Sequence, residues 1–133
     1  DSKMAAIYTT VLGDLAGKLV VDADADNNGE ANITTGAGSL YMVEIDATAG
    51  VATTSEPACY VKLINSSGSV TGGGNSSSIP DLVFYAPIGQ KTTYVISGGW
   101  AFDAGLGMWA VTSADRTDST PPTSDVKVTI LAS

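Results

Sequence analysis

The sequence predicts an all-β fold, an antiparallel β-sandwich or jelly roll of about seven or eight short strands. Val, Ile and Thr account for 35 of the 133 residues, and β-branched side chains suit pleated strands better than helices. Apolar residues recur mostly at every second position, which is the period of a half-buried strand. No long helical pattern is present that would cover a parallel sheet. We therefore expect one domain over residues 1–133, with residues 1–10 as either an N-terminal arm or the first strand.

Four segments show the strand period clearly. Residues 39–47 carry one apolar face, formed by Tyr41, Val43, Ile45 and Ala47. Residues 58–65 carry another, with Lys62 on the opposite side. Residues 82–86 and 126–131 alternate in the same way. Each segment is therefore expected to form a strand that directs one face to a core.

Turn residues predict how some of these strands are connected. Pro87-Ile88-Gly89 predicts a turn, with residues 92–97 as the hairpin partner of the preceding strand. Asn27-Asn28-Gly29 predicts a second hairpin, between residues 18–23 and 30–34. Asn and Gly both tolerate the positive φ of a type I′ turn, which is why this dipeptide favours a hairpin.

The remaining segments are a strand, a weak helix candidate and two polar loops. Residues 108–113 predict one more strand. Residues 11–19 carry apolar side chains four residues apart, but Gly13 and Gly17 interrupt them. Each glycine costs about 1 kcal/mol relative to alanine in a helix interior, so we expect no helix there. Two loops rich in small polar residues are expected to be mobile surface connections that project from the sandwich, residues 65–78 and 112–124.

The amino-acid composition excludes several classes of function. The chain has 14 acidic residues, 6 basic residues and no histidine, so its formal net charge is −8. Without histidine, Ser–His–Asp and Cys–His catalysis, imidazole-ligated zinc and general acid–base work by an imidazole are excluded. A binding or structural module is therefore expected rather than an enzyme, with no cofactor.

The excess of acidic over basic residues also excludes some classes of binding partner. Nucleic-acid binding draws its affinity from many Lys and Arg, whereas this chain has one Arg and five scattered Lys. We therefore expect no nucleic-acid partner, and no attachment to an anionic membrane surface. No window approaches the roughly 18 consecutive apolar residues of a membrane span. Cys59 is the single cysteine, which fits folding in a reducing cytoplasm.

One segment resembles the start of a calcium loop. Asp24, Asp26 and Asn28 place oxygen atoms at alternate positions, and Gly29 follows, as in an EF-hand loop. The twelfth position is Thr35, which lacks the bidentate carboxylate, and the flanking segments are predicted strands rather than helices. We favour a solvated turn here, with calcium as the alternative and no metal site assigned.

Other candidate residues have simpler structural explanations. Glu44 and Asp46 lie two apart on a predicted strand, as a glycosidase pair could, but a solvent-facing stripe is the favoured interpretation. Trp100, Phe102 and Trp109 could stack on a sugar, although filling the core is favoured. Cys59 alternates with apolar residues and is expected to be a buried, inert thiol. Three glycosylation sequons are interpreted as chance matches, Asn32, Asn65 and Asn75, and residues 72–74 lack the Lys-Ser/Thr of a phosphate-binding loop.

The second half of the chain presents a characteristic series of strand and turn residues. The series is Tyr60-Val-Lys-Leu-Ile64, Ile79-Pro-Asp-Leu-Val83, Ala86-Pro-Ile-Gly89, Gly99-Trp-Ala-Phe102 with Gly105-Leu-Gly107, and Val126-Lys-Val-Thr-Ile-Leu131. It resembles small β-rich virion proteins of tailed bacteriophages, among them head-decoration and tail- or fibre-associated modules. The resemblance spans about residues 58–131 and brings no catalytic or ligand-binding residue with it. It implies a homo-oligomer, with a trimer favoured, on the surface of a virion.

These observations lead to one expectation and two alternatives. We expect a non-enzymatic bacteriophage virion protein, a capsid decoration protein that binds the major capsid protein or another virion protein and stabilises the head. The first alternative is a receptor- or carbohydrate-binding sandwich of a phage tail or bacterial surface, which would use the region of Trp100 and Trp109. The second is a calcium-stabilised adhesion module.

Overall fold

The computed structural model describes residues 7–11, 17–72 and 77–133, and every regular element in these ranges is a β-strand. The strands are β1 (Ile7–Val11), β2 (Lys18–Asp22), β3 (Gly38–Asp46), β4 (Ala58–Asn65), β5 (Leu82–Pro87), β6 (Lys91–Phe102), β7 (Leu106–Val111) and β8 (Lys127–Ala132). The all-β prediction is confirmed, and the number of strands agrees with it.

The strands form two antiparallel sheets that pack as a sandwich. The larger sheet has the order β1-β2-β8-β3-β6 and the smaller sheet the order β5-β4-β7. Their inner faces meet in one core of buried apolar side chains. The small sheet contributes Cys59, Val61 and Leu63, all fully buried, as the alternation in residues 58–65 predicts. Val128 and Ile130 of β8 face them from the large sheet.

A bulge in β3 changes which residues face the core. Strict alternation placed Tyr41 inside, but Leu40 is fully buried and Tyr41 is 39% exposed. Leu40 pairs with Ala132 and Met42 with Leu131, so Tyr41 is an extra residue relative to β8 and the faces exchange there. On the other side the same step spans Val95 to Trp100, so β6 is irregular at residues 96–99. Gly99 of β6 makes room, since a Cβ at that position would lie 2.7 Å from the Tyr41 ring.

The predicted hairpin at Pro87-Ile88-Gly89 is wrong, although the turn itself forms. The N–H of Gly89 donates to the Ala47 carbonyl at 2.8 Å, and the Ala47 N–H donates to the Gln90 carbonyl at 2.9 Å. The residue after β3 is thus hydrogen-bonded to the chain as it leaves the turn, so β6 pairs with β3 rather than with β5. The connection therefore crosses from the small sheet to the large one.

The predicted Asn-Gly hairpin is also wrong. β2 forms, but residues 30–34 make no strand beside it. Instead the Glu30 N–H donates to the Met108 carbonyl at 2.8 Å, and the Glu30 carbonyl accepts a bond from the Met108 N–H at 2.9 Å. Gly29 lies tightly against Val70, where a Cβ would come within 2.5 Å of the carbonyl oxygen. The segment after β2 is thus held along the free edge of β7, and long-range pairing overrides the local turn preference.

The N-terminal region supplies part of the large sheet. β1 pairs with β2 in register from Ile7 with Asp22 to Val11 with Lys18, so the described part of residues 1–10 is a strand. Residues 1–6, 12–16 and 73–76 lie outside the described residues. Most of the interior of the helix candidate at residues 11–19 falls among them, while both of its ends are in strands.

The bulge in β3 predicts unequal costs for two adjacent truncations. Leu40→Ala is expected to lower the free energy of unfolding by about 2–5 kcal/mol, because it leaves a cavity in the core. Tyr41→Ala is expected to cost about 1 kcal/mol or less, since that side chain lies on the outer surface. Urea unfolding of both variants measures the difference, and equal losses would contradict the bulge.

Candidate functional site

The outer face of the large sheet carries a row of apolar side chains that crosses four strands. Cross-strand register aligns Leu19 with Leu131, Leu131 with Met42, and Met42 with Val95. We call these four residues the apolar row. Val95, on the outermost strand β6, is 77% exposed, and the other three are partly buried by their neighbours. Aligned apolar side chains on a solvent-facing surface are typical of a protein-binding face.

The other end of the same face is charged. Asp46 of β3 lies between Lys91 of β6 and Lys127 of β8 in the cross-strand register. The Thr48 hydroxyl and N–H both donate to Asp46 and hold the pKa of its carboxyl below the ordinary value, with smaller contributions from the two lysines. The outer face is therefore amphipathic, with the apolar row at one end and alternating charges at the other.

The predicted pair of carboxylates is part of this face. Glu44 and Asp46 both point outward from β3. Glu44 accepts a weak bond of 3.4 Å from the Thr93 hydroxyl, whereas Asp46 is engaged by Thr48. Both carboxylates thus interact with hydroxyl groups on an open surface, as the favoured solvent-facing interpretation expects.

The outer face of the small sheet is covered around Lys62, which the sequence analysis missed, whereas Val83 and Tyr85 of β5 stay 45% and 49% exposed. Lys62 lies opposite the core-facing residues, as predicted, yet it is fully buried. Its Nζ donates to the backbone carbonyl of Asp115 at 2.7 Å, so loop 112–124 folds over it. Desolvation lowers the pKa of Lys62, and the negative charges of Asp118 and Asp115 oppose this effect.

The three aromatic residues that cluster in the sequence are separated in the fold. Trp109 pairs with Lys62 across β7 and β4 and is only 1% exposed. Its indole Nε1 is a buried donor without a hydrogen-bond partner in the described part of the chain. Trp100 and Phe102 lie on β6 with their ring centroids 6.2 Å apart, and both pack with the core. Trp109 is thus unavailable to stack on a sugar in this conformation.

The candidate calcium segment forms a turn rather than a ligand shell. Asp26 is 6% exposed, and its Oδ1 accepts a bond from the Asn28 N–H at 2.9 Å. Asn28 itself is exposed. In the described residues, no group of three acidic, cysteine or histidine side chains is arranged to hold a metal ion.

A buried carboxyl, Asp22, lies just before this segment. It is 2% exposed and faces inward from β2. Burial raises its pKa from 3.8 to about 6, with added repulsion from Glu30, Asp24 and Asp26, while a bond from the Asp24 N–H acts in the opposite direction. The pKa of Glu30 is also raised, mainly by burial and by Asp26.

The other predicted positions have structural roles. Cys59 is fully buried, and burial raises the pKa of its thiol to about 11, which disfavours the reactive thiolate at neutral pH. The Asn32 side chain accepts a bond from the Gly36 N–H. The Asn65 side chain donates to the Asp103 carboxylate and accepts a bond from the Ala104 N–H. Gly72 packs against Trp109. Asn75 lies outside the described residues.

Comparisons with known proteins return no similarity: no family model, curated protein or solved structure matches the chain. A search of the described residues finds no helix that is long and apolar enough to cross a membrane.

The raised pKa of Asp22 predicts an unusual dependence of stability on pH. A carboxyl whose pKa is higher in the folded state binds its proton more tightly there, so its contribution to stability falls as the pH rises from about 4 to 6. Asp22→Asn keeps the acceptor for the Asp24 N–H and removes the charge. At pH 7 the variant is expected to be more stable by about 1–3 kcal/mol, and below pH 4 the difference should vanish.

Unfolding curves of the protein and of Asp22→Asn between pH 3.5 and 7.5 measure this difference. Asp103→Asn is the matched control, because Asp103 is exposed and also accepts a hydrogen bond. A constant difference across this pH range would contradict the assignment.

Proposed function

We propose that this protein is a non-catalytic structural subunit of a bacteriophage virion, a capsid decoration protein that binds the major capsid protein. The observation that carries the proposal is the apolar row on the outer face of the large sheet. The strand and turn residues that resemble virion modules support the choice of partner. No catalytic role is assigned to any residue.

The arrangement of the outer face fits docking against a broad protein surface. Specific interfaces bury roughly 800 Å² on each partner, and a five-stranded face offers such an area on a rigid support. The apolar row supplies the desolvated centre of the interface, since apolar burial contributes about 25 cal/mol per Å². Asp46, Lys91 and Lys127 lie toward one end, where charges act on orientation more than on affinity.

Many copies of the protein on one head would together stabilise it, even if each copy makes modest contacts. A subunit that binds only the assembled shell stabilises it by mass action, and the symmetry of a shell repeats the site many times. The net charge of −8 favours solubility of the free subunit at high copy number.

The carbohydrate-binding alternative has less support in the geometry. Loop 112–124 folds over Lys62, and Trp109 on the adjacent strand is 1% exposed, so stacking on a sugar would depend on Trp100 alone. Trp100 itself packs partly against the core. The calcium-stabilised alternative depends on Asp24, Asp26 and Asn28, and the Asp26 carboxylate is already occupied by the Asn28 N–H.

A substitution in the apolar row tests the proposal. Leu131→Lys is expected to weaken binding to shells assembled from the major capsid protein of the same genome by about tenfold or more, because a charge would be buried without a partner. Val51→Lys is the matched control: Val51 is 83% exposed in the loop after β3, and its replacement should leave binding unchanged. Co-sedimentation with expanded shells measures both.

Two results would contradict the proposal. One is that the unaltered protein binds no shell and is absent from purified virions by mass spectrometry. The other is that both variants bind as well as the unaltered protein. Circular dichroism confirms that each variant is folded before binding is compared.

A further inference from the structure

β6 is one of the two edge strands of the large sheet, and β1 is the other. β6 spans 12 residues and is the last strand in the order of the large sheet, and its regular pairing with β3 runs over Lys91–Val95 and resumes at Trp100. Thr93 is exposed and Val95 is 77% exposed. An open edge presents unpaired backbone N–H and C=O groups, which form a template for another strand.

The register shows which backbone groups are open. The Ala47 N–H donates to the Gln90 carbonyl, and residues of an antiparallel pair alternate between bonded and non-bonded positions. Thr92 and Tyr94 therefore exchange bonds with β3, where they face Ile45 and Val43. Lys91, Thr93 and Val95 direct their N–H and C=O groups away from β3, toward the open edge.

Two other edges of the sandwich are protected. The β7 edge is covered by the preceding segment, through bonds of Glu30 with Met108 and of Ile33 with Leu106. On β5, the Tyr94 hydroxyl donates to the Tyr85 carbonyl at 2.5 Å. Proline residues 80 and 87 limit β5 at both ends, a common means of discouraging strand addition. The regular part of β6, Lys91–Val95, has no comparable protection among the described residues, and it ends at an irregular segment where Gly98 and Gly99 have positive φ.

The charge distribution favours a second copy of this chain as the partner that pairs with the β6 edge. Residues 82–102 contain no Asp or Glu and one Lys, in a chain of net charge −8. Glu44, on the neighbouring strand, would lie about 15 Å from its counterpart, three strand spacings away. This distance exceeds the Debye length of about 8 Å at physiological salt. The β6 edge is thus a place where two copies meet with little repulsion between carboxylates.

We propose that two copies pair antiparallel along β6 about a two-fold axis near Tyr94, so that the two large sheets join into one ten-stranded sheet. Thr93 then lies opposite Val95 of the second copy, and no like charges face each other across the junction. The two apolar rows, each ending at Val95, would meet at the axis. The interface is isologous and closes at two copies, in contrast to the trimer that the resemblance to virion proteins implies.

This proposal does not rest on the proposed function, because it concerns the purified protein without any shell. Sedimentation velocity and native mass spectrometry are expected to show a dimer whose formation increases with protein concentration. Added salt is expected to strengthen it, because salt screens the repulsion between two acidic subunits. A trimer, or a monomer at every concentration up to the solubility limit, would overturn the proposal.

Amide hydrogen exchange followed by NMR locates the interface. The amides of Thr92 and Tyr94 should be protected at all concentrations, because they bond β3. The amides of Thr93 and Val95 should become protected only at concentrations at which the dimer forms. Exchange at Thr93 and Val95 that does not depend on concentration would overturn the proposal, even if a dimer is present.

Two variants act on the edge in different ways. Thr93→Pro removes an outward N–H and leaves the inward bonds of β6 in place, as edge strands tolerate. Val95→Lys adds a charge from each copy near the axis. Each is expected to raise the dissociation constant of the dimer about tenfold or more. Val51→Lys and Leu131→Lys should leave it unchanged, and loss of the dimer in these two variants as well would contradict an interface at β6.

Discussion

The unequal size of the two sheets is the constraint on which the structure depends. Each sheet buries one face in the shared core, and each is left with a second face that must meet water or another element. On the three-stranded sheet the loop at residues 112–124 covers the outer face above Lys62, and the outward side chains of β5 stay exposed. On the five-stranded sheet an apolar row crosses the outer face from Leu19 to Val95. The candidate binding face lies on this larger sheet.

The two faces differ in what they bury. On the small sheet, burial includes a lysine and an indole donor, Lys62 and Trp109. Both are costly groups to remove from water, and Lys62 is accommodated by a backbone carbonyl of the covering loop. On the large sheet, the inward position at the end of β2 is Asp22, whose burial raises its pKa to about 6. Polar groups are thus held inside, while apolar groups remain outside on the apolar row.

The edges of the sheets also differ in whether other residues cover them. Residues after β2 close the β7 edge through the bonds of Glu30 and Ile33, and Tyr94 reaches across to the β5 edge. These contacts hold the two sheets together at their sides as well as through the core. They leave β6, with its exposed Val95, as the part of the sandwich best arranged for contact with another strand.

Local alternation was sufficient to predict most strands, because the period of two depends only on which neighbours in the chain are apolar. It predicted β4 at its observed bounds and the buried face of β8. It failed where a distant strand decides the outcome. Leu40 rather than Tyr41 faces the core because the pairing with β8 leaves Tyr41 as an extra residue. β6 joins β3 because Ala47 bonds Gly89 and Gln90 at the turn.

The amino-acid sequence by itself therefore determined the all-β class, the strands and the acidic surface, which are properties of residue type and spacing. Only the tertiary structure decided the pairing of the strands, the burial of Lys62 and the open edge of β6. These features depend on hydrogen bonds and packing between residues far apart in the chain, which local periodicity does not encode.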